Sequence, residues 1–205
     1  MQQSVIDGYV EDASLLIQSF EAISSPDLLS HILGFIPHSN DRVIEIGAGT
    51  GRDAAWLASK GLSVLAVEPV SEFRAAGQYL HPSPLIEWLN DSLPALAKTM
   101  QRKQSYQLAL LISVWQHIPK DEKLVSLSNL YSILEEKGRL IISVRNGPGA
   151  KNRKCYPTSA EETIKLAQLS GFELIFRCNA SSSQESNKKS NVTWTWLVFE
   201  VADLL

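Results

Sequence analysis

Three glycines at alternate positions, Gly47, Gly49 and Gly51, follow directly on the run Val43-Ile44-Glu45-Ile46. They lead into a stretch that carries Ala54, Ala55, Leu57 and Ala58 at helical spacing. Glycine lets a backbone turn sharply and come close to a ligand, and the first turn of the helix behind it offers unpaired N–H groups. A second apolar run, Leu62 to Val67, ends on Glu68, 21 positions after Gly47. A carboxylate there can accept hydrogen bonds from both hydroxyls of a ribose, at about the 20-residue offset that such a unit requires. Strand, glycine loop, helix and acid-tipped strand thus make one βαβ unit with a nucleotide site. A dinucleotide fingerprint, GxGxxG, would set its third glycine three positions after the second; here the spacing is GxGxG, and Glu45 stands two residues ahead of the first glycine.

The run Glu45-Ile46-Gly47-Ala48-Gly49-Thr50-Gly51 resembles the first motif of class I S-adenosylmethionine-dependent methyltransferases, an acidic residue followed by GxGxG. The resemblance extends over residues 43 to 201 and implies the seven-stranded Rossmann-like fold. It implies that Glu45 and the loop Gly47, Ala48, Gly49 and Gly51 hold the methionine end of the cofactor, that Glu68, followed by Pro69, binds the ribose, and that Asp91 and Ser92 take the adenine. Ser113, Val114 and Trp115 would pass along the cofactor. For Asp91 the alternative is a cap on a helix over Leu93 to Arg102. Trp115 either walls the acceptor pocket or packs against the next helix. The family often has an aspartate near the start of the fourth strand; Tyr106-Gln107 stands here instead, which argues against acid chemistry at that point.

Methyl transfer from an activated sulfonium asks of the protein mostly alignment and desolvation, with a base where the nucleophile must lose a proton. His117, just past the fourth strand, is the candidate base, since neutral imidazole accepts a proton near pH 7; a structural histidine is the alternative. Tyr9, on a helix of the N-terminal extension, either lines the acceptor pocket or belongs to the core. Arg145 and Asn146, after the fifth strand, and Lys151, Arg153 and Lys154 beyond them, either receive an acidic acceptor or form a solvated loop. His31, His38 and His81 lie on helices or turns away from the strand ends and receive no role.

The elements that position these residues follow from periodicity. Ile6, Tyr9, Ala13, Leu16, Ile17 and Phe20 predict a helix over 4–20, and Ser25-Pro26-Asp27 an N-cap for a second helix reaching Ile36. After Glu68 come a helix from Ser71 to about Gln78, a strand over Pro84–Leu89 and a buried strand over Gln107–Ser113. A helix carrying Leu124, Leu127, Leu130 and Leu134 follows, then the tight link Glu136-Lys137-Gly138 and a strand over Arg139–Val144. A capping box at Thr158-Ser159-Ala160-Glu161 opens a helix ending at Gly171. Phe172–Arg177 and Val192–Val201 predict an antiparallel pair around a polar insert, Asn179–Asn191, expected as a mobile hairpin loop. The fold class is therefore α/β, three layers with a doubly wound, mostly parallel seven-stranded sheet, an antiparallel terminal strand and a helical cap. One domain over 1–205, with the cap in 1–40 and the core in 41–205, is expected.

At 205 residues, with 44% hydrophobic and 20% charged residues, the chain is large enough for a sizeable core. A net charge of -3 gives no general attraction for nucleic acid or anionic lipid. No apolar run approaches the roughly 18 residues of a membrane span. A cytoplasmic enzyme with a small-molecule acceptor is expected, with Cys155 and Cys178 reduced and without a metal site. Competing readings are an NAD(P)-dependent oxidoreductase, disfavoured by the glycine spacing, and a non-catalytic S-adenosylmethionine-binding protein. An RNA-adenine enzyme would carry a proline-rich tetrapeptide where Ser113-Val114-Trp115-Gln116 stands.

Overall fold

The computed structural model describes residues 1–38 and 40–202. The N-terminal segment forms α1 (Gln3–Glu11), α2 (Ala13–Glu21) and α3 (Ser25–Leu28), the last continued by a 3-10 turn over Ser30–Phe35. The core follows as β1 (Arg42–Ile46), α4 (Arg52–Ser59), β2 (Ser63–Val67), α5 (Ser71–Leu80), β3 (Ile86–Leu89), α6 (Ala97–Gln101), β4 (Tyr106–Leu111), α7 (Lys123–Ile133), β5 (Leu134–Asn146), α8 (Ala160–Leu169), β6 (Phe172–Ser181), α9 (Glu185–Lys189) and β7 (Thr193–Val201). The strands make one seven-stranded sheet in the order β3-β2-β1-β4-β5-β7-β6. The strands from β3 to β5 run parallel, while β7 is antiparallel to both β5 and β6.

Alternation along each strand builds the two covering layers. On β1, Val43 joins Leu57 and Ala54 of α4, whereas Ile44 and Ile46 join Leu127 and Leu130 of α7 and Ala167 of α8. Because both faces are covered, β1, β2 and β4 read as nearly unbroken buried runs. Strand order reverses between β1 and β4, and an open parallel sheet leaves its crevice at such a point, beyond the carboxyl ends of the strands. Gly51, at φ +72, turns the chain from that crevice into α4.

Five local expectations are corrected. The helix over 4–20 is two helices: Asp12 leaves the helical conformation (φ -99, ψ 8), and its carboxylate accepts from Asn152 and Arg153 across the crevice. The cap of α3 is Ser24, whose hydroxyl accepts from the Asp27 N–H at 3.4 Å, and α-helix stops at Leu28 rather than reaching Ile36. Only Ala97–Gln101 of the helix expected over Leu93–Arg102 forms, since Leu96 takes a left-handed conformation, φ +46. Glu136-Lys137-Gly138 is not a link ahead of the strand but lies within β5, with Lys137 at φ +58 where the pairing with β4 slips. The insert after Asn179 is not a bare loop: β6 continues to Ser181, and α9 follows.

Trp88, near the end of β3, packs where two glycines leave room. A Cβ on Gly77 would stand 2.3 Å from its ring and 2.6 Å from the Thr50 carbonyl oxygen, which is backbone and cannot step aside. Gly77→Ala should therefore destabilise by about 1–3 kcal/mol, the usual cost of overpacking. Gly34→Ala, with nothing within 4 Å of its Cβ, should be neutral or slightly stabilising. Urea midpoints at unchanged slope measure both; equal midpoints for the two variants would refute the wedge.

Candidate active site

A cavity of about 670 Å³ opens at the β1/β4 crevice, within the range of about 300–1,000 Å³ common for small-molecule sites. Its floor on one side is acidic. Glu45, on β1, is 3% exposed, and its Oε2 has no hydrogen-bond partner among the described residues. Burial, and then the neighbouring Asp53 charge, push its carboxyl well above the ordinary range, against Arg52 and the Ala54 N–H. Glu68, 4% exposed at the end of β2, accepts from the Gly49 N–H at 2.9 Å and the Val70 N–H at 2.8 Å. Burial raises it to about 7, the two N–H groups and Arg74 opposing. The loop over these acids is close-fitted, for a Cβ on Gly47 would meet Val114 at 2.5 Å.

Arg52 and Asp53 tie the helical cap to this floor. The Arg52 guanidinium bonds the Asp53 carboxylate through Nε (2.9 Å) and Nη2 (2.6 Å), and its Nη1 donates to the Phe20 carbonyl at 2.8 Å. Ser25 donates its hydroxyl to Asp53 Oδ1 at 2.6 Å. Phe20, Tyr9 and Phe73 then pack edge to face or tilted against one another over the cavity.

The other half lies past β4 and β5. His117 Nδ1 is 2.8 Å from the Lys154 carbonyl, which can only accept, so Nδ1 carries the hydrogen and Nε2 is the acceptor. Tyr9 Oη, 2.9 Å from Nε2, is therefore the donor in that bond. Burial lowers the His117 pKa, the Lys154 carbonyl opposing and the Arg153 and Arg145 charges adding to it. Burial likewise raises Tyr9, so the pair is neutral at physiological pH. The Gln116 amide nitrogen donates to the Ser113 carbonyl at 2.6 Å, which leaves its Oε1 buried without a partner among the described residues. The Ser113 N–H donates to Ser143 Oγ at 2.8 Å, fixing the chain between β4 and β5.

Of the residues singled out in the sequence, the structure brings Glu45, Gly47, Ala48, Gly49, Glu68, Pro69, Ser113, Val114, His117, Tyr9 and Arg145 to this cavity. Gly51 stands behind the loop, against Trp88. Asp91 and Ser92 border a second, smaller hollow that also touches Pro69 and Met1. The Asp91 carboxylate accepts there from the Thr99 N–H and hydroxyl, both at 2.8 Å, in the first turn of α6, whose N-cap position is Leu96 rather than Asp91. Trp115 does not wall the pocket: it is fully buried, and its indole N–H donates to Thr163 at 3.0 Å. Asn146 turns to Thr195 Oγ1 at 3.1 Å instead of facing the cavity. His31, given no role from sequence, lines the cavity, as do Ser181, Gln184 and Asn187 of the insert and Trp194 and Trp196 of β7. Arg52-Asp53, directly after the last glycine, was the signal in the sequence for the tie to the cap.

The family model described as "Methyltransferase domain" matches residues 17–197. The chain belongs to this methyltransferase family. Solved structures agree on the fold. The 1,6-didemethyltoxoflavin-N1-methyltransferase of Burkholderia thailandensis, solved with S-adenosylhomocysteine, is 18% identical, with a TM-score of 0.69 over 97% of this chain and 85% of that one. Magnesium protoporphyrin IX methyltransferase from Synechocystis PCC 6803, solved with S-adenosylmethionine, is 16% identical, with a TM-score of 0.66 over 95% and 84%. The cyclase SpnF has the same fold at 12% identity, TM-score 0.69, over 95% and 93%. At such identities the likeness is one of fold. Among the described residues of this methyltransferase, no helix is long and apolar enough to cross a membrane.

Because its folded pKa lies above the ordinary value, Glu68 adds stability that is complete below about pH 4.5 and lost as pH rises through about 7. Carboxyl ¹³C NMR of the ligand-free protein should show one glutamate titrating near 7 that disappears in Glu68→Gln. A Glu68 midpoint near 4.5 would mean that water reaches the carboxyl.

Proposed function

We propose that this methyltransferase moves the methyl group of S-adenosylmethionine to a nitrogen or oxygen of a small molecule held in the β4/β5 half of the cavity. The observation that carries this reading is the buried Glu45 carboxylate with a free Oε2, beside a glycine loop and Glu68 in one cavity. A cationic α-amino group would supply the donor that Glu45 lacks, and a carboxylate already raised by burial gains most from such a neighbour. Glu68 spends one lone pair of each oxygen on the backbone, and the remaining pairs suit ribose hydroxyls. Pro69 and the hollow of Asp91 and Ser92 next to it suit the adenine. The residues present therefore fit the cofactor, which supplies a methyl already activated on sulfur. The two relatives whose solved forms hold this cofactor or its product, each named for a small-molecule acceptor, support the same reading.

The chain's own part is alignment and proton removal. Tyr9 donates to His117 Nε2 while its oxygen keeps lone pairs toward the cavity. An acceptor N–H or O–H placed there gives its proton to Tyr9 Oη as Tyr9 passes its own to His117 Nε2, and the Lys154 carbonyl holds the resulting imidazolium through Nδ1. Gln116 Oε1 is a further acceptor for the same group. Phe20 and Phe73 give the cavity an apolar wall on the side of the cap, and water displaced from it by an acceptor would strengthen these contacts.

Thermal unfolding with S-adenosylhomocysteine, S-adenosylmethionine and NAD tests the cofactor. A ligand at about 100 times its dissociation constant stabilises by about 2.7 kcal/mol; the first two should do so, and Glu68→Ala should abolish it. A shift with NAD alone would overturn the reading. Tyr9→Phe and His117→Gln should keep the S-adenosylhomocysteine shift and lose about 10²-fold or more in methyl transfer, the usual contribution of a general base. Unchanged turnover in both would remove the relay.

A further inference from the structure

Glu45, Glu68 and the Arg52–Asp53 ion pair line the glycine-loop end of the cavity, whereas Arg145 and Arg153 line the end past β5. Arg153 is satisfied, since it pairs with Asp12 and stacks over the Tyr9 ring at 5.1 Å. Arg145 is different. It is partly buried, and among the described residues no carboxylate lies within ion-pair distance of it.

Arg145 is nonetheless held firmly. It pairs across strands with Trp194, and its guanidinium lies over that indole at 5.4 Å. Nε and Nη2 donate to the Pro148 carbonyl at 3.0 and 2.6 Å, and Nη2 also donates to Asn187 Oδ1 at 2.9 Å. Neutral acceptors fix the fork and leave its charge uncompensated, with Nη1 unengaged among the described residues. A partly buried cation held in place by neutral dipoles can still take an anion on its free N–H groups.

We propose that the acceptor carries an anionic group, a carboxylate or a phosphate, which Arg145 binds. This rests on the methyltransferase reading above and names the substrate class for the same site. The anion is not the cofactor's own carboxylate: β5 stands two strands from β1, about 10 Å at 4.8 Å per strand, on the far side of β4 from the loop that takes the methionine end. An acceptor anchored by its anion on Arg145 presents its nucleophile to Tyr9 and Gln116, which line the same cavity. The groups facing His117 are Tyr9 from α1, Arg145 from β5, and Arg153, the Lys154 carbonyl and Cys155 from the segment between β5 and α8. An anion on Arg145 offsets one of the two positive charges that weaken His117, so the base strengthens when the acceptor arrives.

The test uses tritiated S-adenosylmethionine and a panel of aryl and amino-acid amines and alcohols in matched sets: the carboxylate, its primary amide, the phosphate ester and the parent alcohol. Wild type, Arg145→Leu and Arg145→Lys are compared, with the S-adenosylhomocysteine thermal shift recorded for each. All three proteins should show that shift equally. Incorporation should be confined to carboxylates or to phosphates, which tells the two apart. It should fall by about 10- to 100-fold in kcat/KM, mainly through KM, in the leucine variant, as the loss of one charge-assisted hydrogen bond predicts, and partly return with lysine. Methylation of amides or parent alcohols as fast as of anions, a leucine variant with unchanged KM, or no incorporation into any anionic member would overturn the proposal. Loss of the S-adenosylhomocysteine shift in the leucine variant alone would place Arg145 at the cofactor instead. Absence of the shift in wild type would bring down the cofactor reading and this one with it.

Discussion

Two carboxylates held out of water beneath a glycine loop set the terms for this fold. Glu45 and Glu68 close neighbouring parallel strands, each 4% exposed or less, and the backbone must come near enough to satisfy them. Gly49 does so directly by donating to Glu68, and Gly47 allows it by passing Val114 at a distance no side chain permits. Burial nonetheless holds both carboxyls above the ordinary range, and Glu45 Oε2 keeps no partner among the described residues, unlike a packed corner of the core.

The strand order explains why these acids face the rest of the machinery. With β1 and β4 adjacent and their crossovers leaving in opposite directions, the ends of β1, β2, β4 and β5 open into one space. Side-chain bonds that hold the cap over it include Arg52 to the Phe20 carbonyl, Ser25 to Asp53, Tyr9 to His117, and Asp12 to Arg153. Asp12 is itself the break between α1 and α2, and Tyr9 lies in the last turn of α1 just ahead of it.

Most of the sheet was legible in the sequence because its signals are local: apolar runs of four to six residues, glycines at turns and helical spacing between them. The glycine loop and Glu68 were legible for the same reason. Long-range partnerships were not. Nothing near Trp115 announces Thr163, and nothing near Asp91 announces that Thr99 engages it, since each depends on how a later helix docks. The break at Asp12 is of the same kind: the amphipathic pattern runs on through it, and its partners Asn152 and Arg153 are some 140 residues away. The polar insert misled by composition, for serine and asparagine suggest a solvated loop, whereas here Ser181, Gln184 and Asn187 line the cavity.

The position of that insert bears on how such a protein changes over evolutionary time. Asn187 steadies Arg145 from a short helix joined at both ends to the outer strand pair β6 and β7, while the glycine loop and both buried acids belong to the other half of the sheet. Insertions, deletions or substitutions between Ser181 and Asn191 reshape one wall of the cavity without entering the chain segments of β1, β2 or α4. One wall of the cavity can thus vary in a segment that is separate along the chain from the glycine loop and both buried acids.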